Sequence, residues 1–222
     1  MSNFKSQIKQ DEYISKFIFN NCKNGFFVEI GALNGITLSN TYYFEKELDW
    51  KGICIEPNPN YRDDLSNNRI CYKDYSPVYS CNDIDINFSI TNLGGELSGI
   101  TKHLGNIGEF KVDKIINIKT KTLTKILDEI NAPTHIQYLS IDVEGAEIEV
   151  LKGINFDKYI FDYINIEHNY KPIRGDIHKF LYSKGYMFSR WNKFDDEFIH
   201  RNFFNKISFY DINQDKFDLF IK

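Results

Sequence analysis

The densest chemistry in the chain lies in Leu139-Ser140-Ile141-Asp142-Val143-Glu144-Gly145-Ala146-Glu147. An apolar run ends in acids at alternate positions, and a glycine then opens a helix-like stretch. Asp142 and Glu144 are two residues apart, so they share a face if the strand continues that far. Two buried carboxylates without partners are costly. They call for a cation, a donor-rich ligand or solvent, and each of these means a cleft. The alternative for Glu144 is a charge at a helix start, where the dipole favours an acid, and Glu147 is read in that way only. A second apolar run ends in Ile166-Glu167-His168-Asn169. Histidine is the side chain that most often abstracts a proton near neutral pH. At a strand end beside an acceptor cleft, His168 is the expected general base, with Asp142 or Glu144 orienting it or the acceptor. His103, His135, His178 and His200 are read as structural. Asp142, Glu144 and His168 also offer oxygen and imidazole ligands to a divalent metal such as magnesium, which would acidify a hydroxyl. The residue types do not choose between these two mechanisms.

Three further loops follow apolar runs. Glu29-Ile30-Gly31-Ala32-Leu33-Asn34-Gly35 is a glycine-flanked turn. Glycine there lets backbone approach a ligand, and the N–H groups of the turn, at Ala32 and Asn34 among others, can point at it. A dinucleotide fingerprint needs G-x-G-x-x-G, and this turn has only G-x-x-x-G. Glu29 would repel a pyrophosphate and attract an ammonium, and S-adenosylmethionine carries an ammonium and no phosphate. A plain strand-to-helix turn is the other reading. Glu56-Pro57-Asn58-Pro59 places an acid about 20 residues after the first glycine, the offset of a carboxylate that accepts from ribose hydroxyls; a solvated loop glutamate is the alternative. In Lys73-Asp74-Tyr75-Ser76, Asp74 is expected to accept from an adenine amino group and Tyr75 to pack on the ring.

These loops need strands and helices to hold them. Apolar residues at Ile8, Tyr13, Ile14, Phe17 and Ile18 suit an amphipathic helix. Strands are expected at 26–31, 52–56 and 69–72, with helices at 37–48, capped by Thr37 or Ser39, and at 61–65. A strand at 85–91, a glycine-rich loop at 93–108 and an extended stretch at 112–120 make a less regular middle. The pattern then resumes with a helix at 123–130, a strand at 136–143, a helix at 146–152, a strand at 159–167 and a helix at 173–184. A strand pair, 186–190 and 197–200, surrounds Asp195-Asp196. Such alternation argues for an α/β sheet, mostly parallel, with ligands beyond the carboxyl ends of the strands.

Taken together, Phe27-Val28-Glu29-Ile30-Gly31-Ala32, Gly52 to Pro59, Thr120-Lys121-Thr122-Leu123, Asp142 to Gly153 and Ile166-Glu167-His168 resemble the FkbM-type methyltransferases. The resemblance runs from about Phe26 to Ile199. It implies a Rossmann-like class I methyltransferase fold, with a seven-stranded, mostly parallel sheet, a C-terminal antiparallel strand pair and helices on both faces. It implies S-adenosylmethionine as cofactor and O-methylation of a sugar, nucleotide sugar or glycan. Glu29, Gly31, Glu56 and Asp142 would line the cofactor pocket. A small-residue run usually follows the third strand in that family, and Tyr75-Ser76-Pro77-Val78 departs from it. The expected organisation is one domain over 1–222, with a helical extension at 1–25, a variable substrate-side insertion at 81–118 and a tail at 203–222.

Composition narrows the alternatives. The 222 residues carry a net charge of -4, and the absence of a basic excess to track a nucleic-acid backbone weighs against a nucleic-acid substrate without excluding one. The four cysteines, Cys22, Cys54, Cys71 and Cys81, form no C-x-x-C pair, and Cys54 reads as a buried thiol. No early apolar segment resembles a signal peptide or approaches a span of roughly 20 residues. A cytoplasmic enzyme is therefore expected, with a small-molecule or glycan acceptor and neither nucleic acid nor membrane as partner. Three rivals stand beside it: a methyltransferase for a non-sugar small molecule, a nicotinamide-dependent oxidoreductase, and an inactive Rossmann-like binding module.

Overall fold

Short apolar runs bounded by glycine, proline or charge become the strands. The structure, a computed structural model, describes residues 3–92, 94–105, 108–109 and 111–207. In chain order, α1 (Gln10–Tyr13) continues into a π-helical turn (Ile14–Ile18) and leads to β1 (Phe26–Ile30), α2 (Tyr42–Glu47) and β2 (Lys51–Ile55). A 3-10 turn (Pro59–Tyr61) precedes α3 (Arg62–Asn68) and β3 (Tyr72–Asp74). Then come β4 (Asp85–Thr91), β5 (Gly99–Ile100), β6 (Val112–Lys119), α4 (Leu123–Glu129), β7 (His135–Ile141) and α5 (Glu147–Lys152). The chain closes with β8 (Ile160–Glu167), α6 (Arg174–Ser183), β9 (Tyr186–Asn192), β10 (Asp195–His200) and α7 (Arg201–Ile207).

Seven strands form one sheet in the order β3-β2-β1-β7-β8-β10-β9. Neighbours are parallel from β3 to β8. Only β10 runs against its neighbours, β8 and β9. This is the Rossmann-like α/β arrangement expected, with the antiparallel pair at the C-terminal end. The middle of the chain makes a separate antiparallel sheet, β5-β4-β6.

Both faces of the large sheet are buried, so its strands read as continuous apolar runs. Alternation still sorts the side chains. Val28, Ile30, Ile53 and Ile55 pack with Leu127 of α4, Leu151 of α5 and Leu181 of α6. Phe27, Cys54 and Tyr138 face the other way, onto Ile14, Phe44 of α2 and Leu65 of α3. Glu29 shares the face of Phe27. Its charge therefore enters the second layer, where Arg69 meets it.

Arg69 is 1% exposed. Its Nη1 lies 3.2 Å from Glu29 Oε2 and its Nε 3.2 Å from Glu45 Oε2. It also donates to Gly35 O, Ser39 Oγ and Thr41 Oγ1. This explains one departure from the sequence reading. Arg69-Ile70 was expected to open the third strand, yet Arg69 is an internal cation and Ile70 is 84% exposed. The strand begins instead at Tyr72, paired with Ile53. The helix expected at 37–48 is also shorter. Leu38 adopts a left-handed φ of 56°, and Ser39, Asn40 and Thr41 turn inward to Glu29, so α2 starts at Tyr42. Ser39 Oγ does accept from Tyr42 N, as a start-of-helix serine would. Asp195 and Asp196 are not the turn of the final pair. They are the first two residues of β10, and the turn falls at Lys193 (φ 58°).

No helix among the described residues is long and apolar enough to cross a membrane. The extension expected at 1–25 holds α1 and the π-helical turn, which pack on the second layer. The expected insertion at 81–118 coincides with most of the small sheet. Of the expected tail, residues 208–222 lie outside the described residues.

Arg69→Met should destabilise the protein by about 3–5 kcal/mol, because it strands two buried carboxylates. Urea unfolding would measure this. Burial tends to raise the Glu45 pKa, but Arg69 and Lys46 outweigh it and hold Glu45 down to about 2. A depressed carboxyl stabilises the fold above its unfolded value of about 4.3 and loses that contribution as pH falls toward 2. Wild type should therefore lose stability between roughly pH 4.5 and 2, and Glu45→Gln should lose less over the same window.

Candidate functional site

The chain leaves β1 toward β2 and β3 on one side and later returns to β7 and β8 on the other. A crevice must open beyond the carboxyl ends of β1 and β7. Gly31 and Asp142 directly follow these strands. Gly31 has φ +88°, and a Cβ there would sit 1.9 Å from Asp142 O. Only glycine permits the two loops to approach so closely. A cavity of about 210 Å³ lies at this point, among Gly31, Leu33, Asn40, Glu56, Asp142 and Glu167.

The glycine turn is tied down from behind. Gly31 N and Ala32 N both donate to Ile55 O. Asn34 Oδ1 accepts from Ile36 N and Thr37 N. A Cβ on Gly35 (φ +81°) would fall 2.6 Å from Arg69 Cγ. Ala32, Asn34 and Gly35 thus shape the loop without lining the cavity. Glu29 does line it, but its oxygens already accept from Ser39 Oγ, Asn40 N and Thr41 Oγ1 beside Arg69. The charge expected to draw a cofactor ammonium is neutralised inside the protein.

Glu56 is 4% exposed and accepts from Leu33 N on one oxygen and Asn58 N on the other. Burial pushes its pKa up to about 7, against those two backbone bonds. Each oxygen keeps a lone pair for a ligand. Asn58 is not part of this cavity's lining; its amide supports Glu56, and its side chain reaches Ser98 Oγ at 3.3 Å. Beside Glu56 is a narrow apolar slot of about 40 Å³, walled by Pro57, Pro77, Val78, Phe88, Ile100 and Val143. Slot and cavity share Ile30, Gly31, Glu56, Ser98 and Asp142, so they adjoin as two parts of one recess.

Asp74 and Tyr75, expected near an adenine, stand apart from this recess. Asp74 pairs with Lys121 at 2.8 Å, and Tyr75 meets Ser66 Oγ and the Arg62 guanidinium. The cause is the later start of β3, which makes Asp74 the last strand residue rather than part of the loop beyond it.

The far end of the cavity is acidic. Asp142, Glu144 and Glu167 bring carboxylate oxygens within 4.8 Å of one another, and Asp195 lines the same wall. Burial, then Glu144 and Asp195, push the Asp142 pKa well above its usual range. Burial, then Asp142 and Glu144, push Glu167 up to about 11. Burial raises Glu144 to about 7, with Lys171 pulling down and Glu147 pushing up. Burial raises Asp195, opposed by hydrogen bonds from Gln10 and Asn165. Glu144 holds a left-handed φ of 59°, a backbone that a non-glycine residue adopts only when its surroundings impose it. Glu147 accepts from Gly145 N at the start of α5, as read from the sequence.

His168 is not in this wall. It is 1% exposed, and its Nδ1 accepts from Tyr170 N at 3.0 Å. Its Nε2 lies 3.6 Å from Asp196 Oδ1, in a group with Arg174 and His178 of α6. Burial lowers its pKa, although Asp196 acts the other way. Alternation explains the correction. Glu167 and Asp195 face the cavity, so their neighbours His168 and Asp196 face α6. The expected trio of Asp142, Glu144 and His168 is replaced by Asp142, Glu144 and Glu167. The turn His168 anchors has left-handed Asn169 (φ 45°) and Tyr170 (φ 55°), and Asn169 Nδ2 donates to Glu167 Oε2 at 2.6 Å.

Several lining residues went unnoticed in the sequence. Glu167 and Asp195 were visible as acids, but strands buried on both faces leave no polarity pattern to say which way each points. Gln7, Gln10, Asn40 and the small-sheet residues Phe88 and Ile100 carry no local signal at all.

The family model for the methyltransferase FkbM domain matches residues 29–197. Among solved structures, the chain is similar to a methyltransferase FkbM from Methylobacillus flagellatus KT, at 15% identity and a TM-score of 0.51, over 80% of this chain and 44% of that one. This chain thus spans less than half the length of that structure, and the likeness speaks for the fold alone. It is also similar to a precorrin-6y C5,15-methyltransferase from Geobacter metallireducens GS-15, at 10% identity and a TM-score of 0.42, over 80% of each chain. That likeness is too distant to carry an argument. No curated protein matches the chain.

Crowded acids of like charge cost the empty protein stability. Held at a pKa of about 11, Glu167 must take up a proton on folding at neutral pH, and Glu167→Gln keeps an acceptor for Asn169 without that cost. At neutral pH, in buffer with a chelator and no ligand, the variant should melt several degrees above wild type. An unchanged or lower midpoint in differential scanning calorimetry would show that the crowding is already relieved within the fold.

Proposed function

The chain belongs to the methyltransferase FkbM family, and from that premise we propose that it is an S-adenosylmethionine-dependent O-methyltransferase acting on a hydroxyl of a sugar, nucleotide sugar or glycan. One observation carries the reading. The recess joins an apolar slot, a buried ribose-type carboxylate and a wall of acids near which Lys171 is the cation acting on Glu144. This sequence of chemistries suits a nucleoside that ends in positive charge. Among the described residues no Lys or Arg lines the recess, and none of them offers a pyrophosphate a counter-charge there. That disfavours a nicotinamide dinucleotide.

The donor fits the chain's own groups as follows. Pro57, Val78, Phe88 and Ile100 would hold the adenine. Glu56 would accept from the ribose hydroxyls with its free lone pairs. Gly31 leaves the floor open for close backbone approach. Asp142, Glu144 and Glu167 would balance positive charge at the reacting end. When bound, the donor supplies a methyl carbon already electrophilic on a sulfonium and departs as a neutral thioether. The protein's task is to align the acceptor oxygen and exclude water, which can lower a barrier by roughly 7–11 kcal/mol. Glu144 is the group we assign as general base, in place of His168. It stands at the mouth of the acid wall with a pKa of about 7, and it would take the hydroxyl proton as the oxygen–carbon bond forms.

The same three carboxylates are the oxygen set that a magnesium-class ion takes. A cation held there would acidify the hydroxyl directly, which makes the metal a second reading with its own observation. Dialysis against a chelator separates the two: retained turnover supports Glu144 alone, and loss restored by magnesium supports the cation.

Calorimetry should detect S-adenosylmethionine binding and no NAD binding; the reverse would overturn the class. Labelled methyl donor, screened against sugars, nucleotide sugars and glycans, should mark a hydroxyl. Glu144→Gln should lower turnover by about 100-fold to 10,000-fold while leaving donor affinity within a few-fold. His168→Gln should lower the melting temperature and largely spare turnover of the folded enzyme.

A further inference from the structure

The matched family region begins at residue 29, yet the cavity is walled in part by residues well before it. Gln7 and Gln10 both line it. Gln10 is 3% exposed, and its Nε2 donates to Asp195 Oδ2 at 2.7 Å across 185 positions of sequence. Its Oε1 accepts from Ile8 N at 3.0 Å, so both ends of the side chain are fixed. Asn165 Nδ2 donates to the same Asp195 oxygen.

The segment before α1 is held in place rather than draped. Ser6 forms a β-bridge with Leu38, which itself lines the cavity. Asp11 is fully buried and accepts from Lys5 N, Ser6 N and Ser6 Oγ. Phe4 lies 4.1 Å from the Tyr43 ring. Lys9 adopts a left-handed φ of 64°, which turns the chain from this segment into α1. Gln7 stands out within this framework. It is exposed, it faces the cavity, and its side chain makes no hydrogen bond among the described residues.

The cavity has an electrostatic gap of its own. An amino-acid tail brings an ammonium and a carboxylate. Acids suit the ammonium, but among the described residues no Lys or Arg lines the recess to receive the carboxylate. Neutral donors must do so.

We infer that residues 4–10 form a strap over the amino-acid end of the methyl donor, in which Gln7 donates its amide to the donor carboxylate and Gln10 is a positioning residue that orients Asp195. The inference rests on the proposed S-adenosylmethionine reading. Donor entry then requires the strap to lift, and bound donor holds it down.

The test uses two ligands on the full chain. S-adenosylhomocysteine has the amino-acid tail, and 5′-methylthioadenosine lacks it while keeping the nucleoside. Gln7→Ala should weaken S-adenosylhomocysteine by about tenfold, the scale of one lost hydrogen bond to a charged group, and leave 5′-methylthioadenosine unchanged. Hydrogen exchange at residues 4–10 should slow with the first ligand and not with the second. Equal loss for both ligands, or no loss for either, would overturn the strap while leaving the methyltransferase reading intact. Failure of the wild-type protein to bind S-adenosylhomocysteine would overturn both. Gln7 is on the surface, so the variant should melt as wild type does, and a circular dichroism melt verifies that.

Discussion

The buried guanidinium of Arg69 is the contact on which the architecture of the site depends. It meets Glu29 from β1, Glu45 from α2, the Gly35 carbonyl and the hydroxyls of Ser39 and Thr41. The whole loop from the end of β1 to the start of α2 is therefore folded around one cation. A charge removed from water must be paired and hydrogen-bonded on all sides, or it costs several kcal/mol. Arg69 is paired with two carboxylates and bonded to two hydroxyls and a carbonyl, with only its Nε left without a hydrogen bond, and in this way it fixes the loop that floors the cavity. Gly35 is glycine because Arg69 passes beneath it.

The acids at the other end of the cavity have no such partner. Glu29 has an internal cation. Asp142, Glu144, Glu167 and Asp195 have amide donors, a nearby Lys171 and one another. This contrast separates the two sets of carboxylates more sharply than burial does, since both are largely buried. Charge satisfied within the protein holds the fold. Acids crowded together without such a cation are pushed toward the neutral form instead.

Elements outside the large sheet complete the recess. The small sheet contributes Phe88 and Ile100 to the slot, and the N-terminal segment contributes Gln7 and Gln10 to the cavity. The sheet supplies the strand ends that hold Gly31, Glu56, Asp142 and Glu167. The additions decide how deep the recess is and what closes it. A parallel sheet with a switch point provides a crevice in any chain that builds one; the covering segments make it specific.

Much of the sheet was legible from sequence alone. Apolar runs ending in glycine, proline or acid marked β1, β2, β7 and β8, because strands buried on both faces must be apolar throughout. For the same reason Gly31, Glu56, Asp142 and Glu144 stood out at strand ends as cleft residues. Direction was not legible. Whether Glu167 or His168 faces the cavity depends on register within β8, and a strand buried on both sides shows no alternation to read. Partnership was not legible either. Glu29 looked like a free carboxylate until Arg69, 40 residues away, was seen to reach it. Gln10 and Asp195 lie 185 residues apart and meet only because the N-terminal segment crosses the end of β10. Local sequence determines where strands end, since that follows from burial and backbone chemistry. Which side chains then share a cavity, and which charges cancel, are long-range facts that only the folded chain decides.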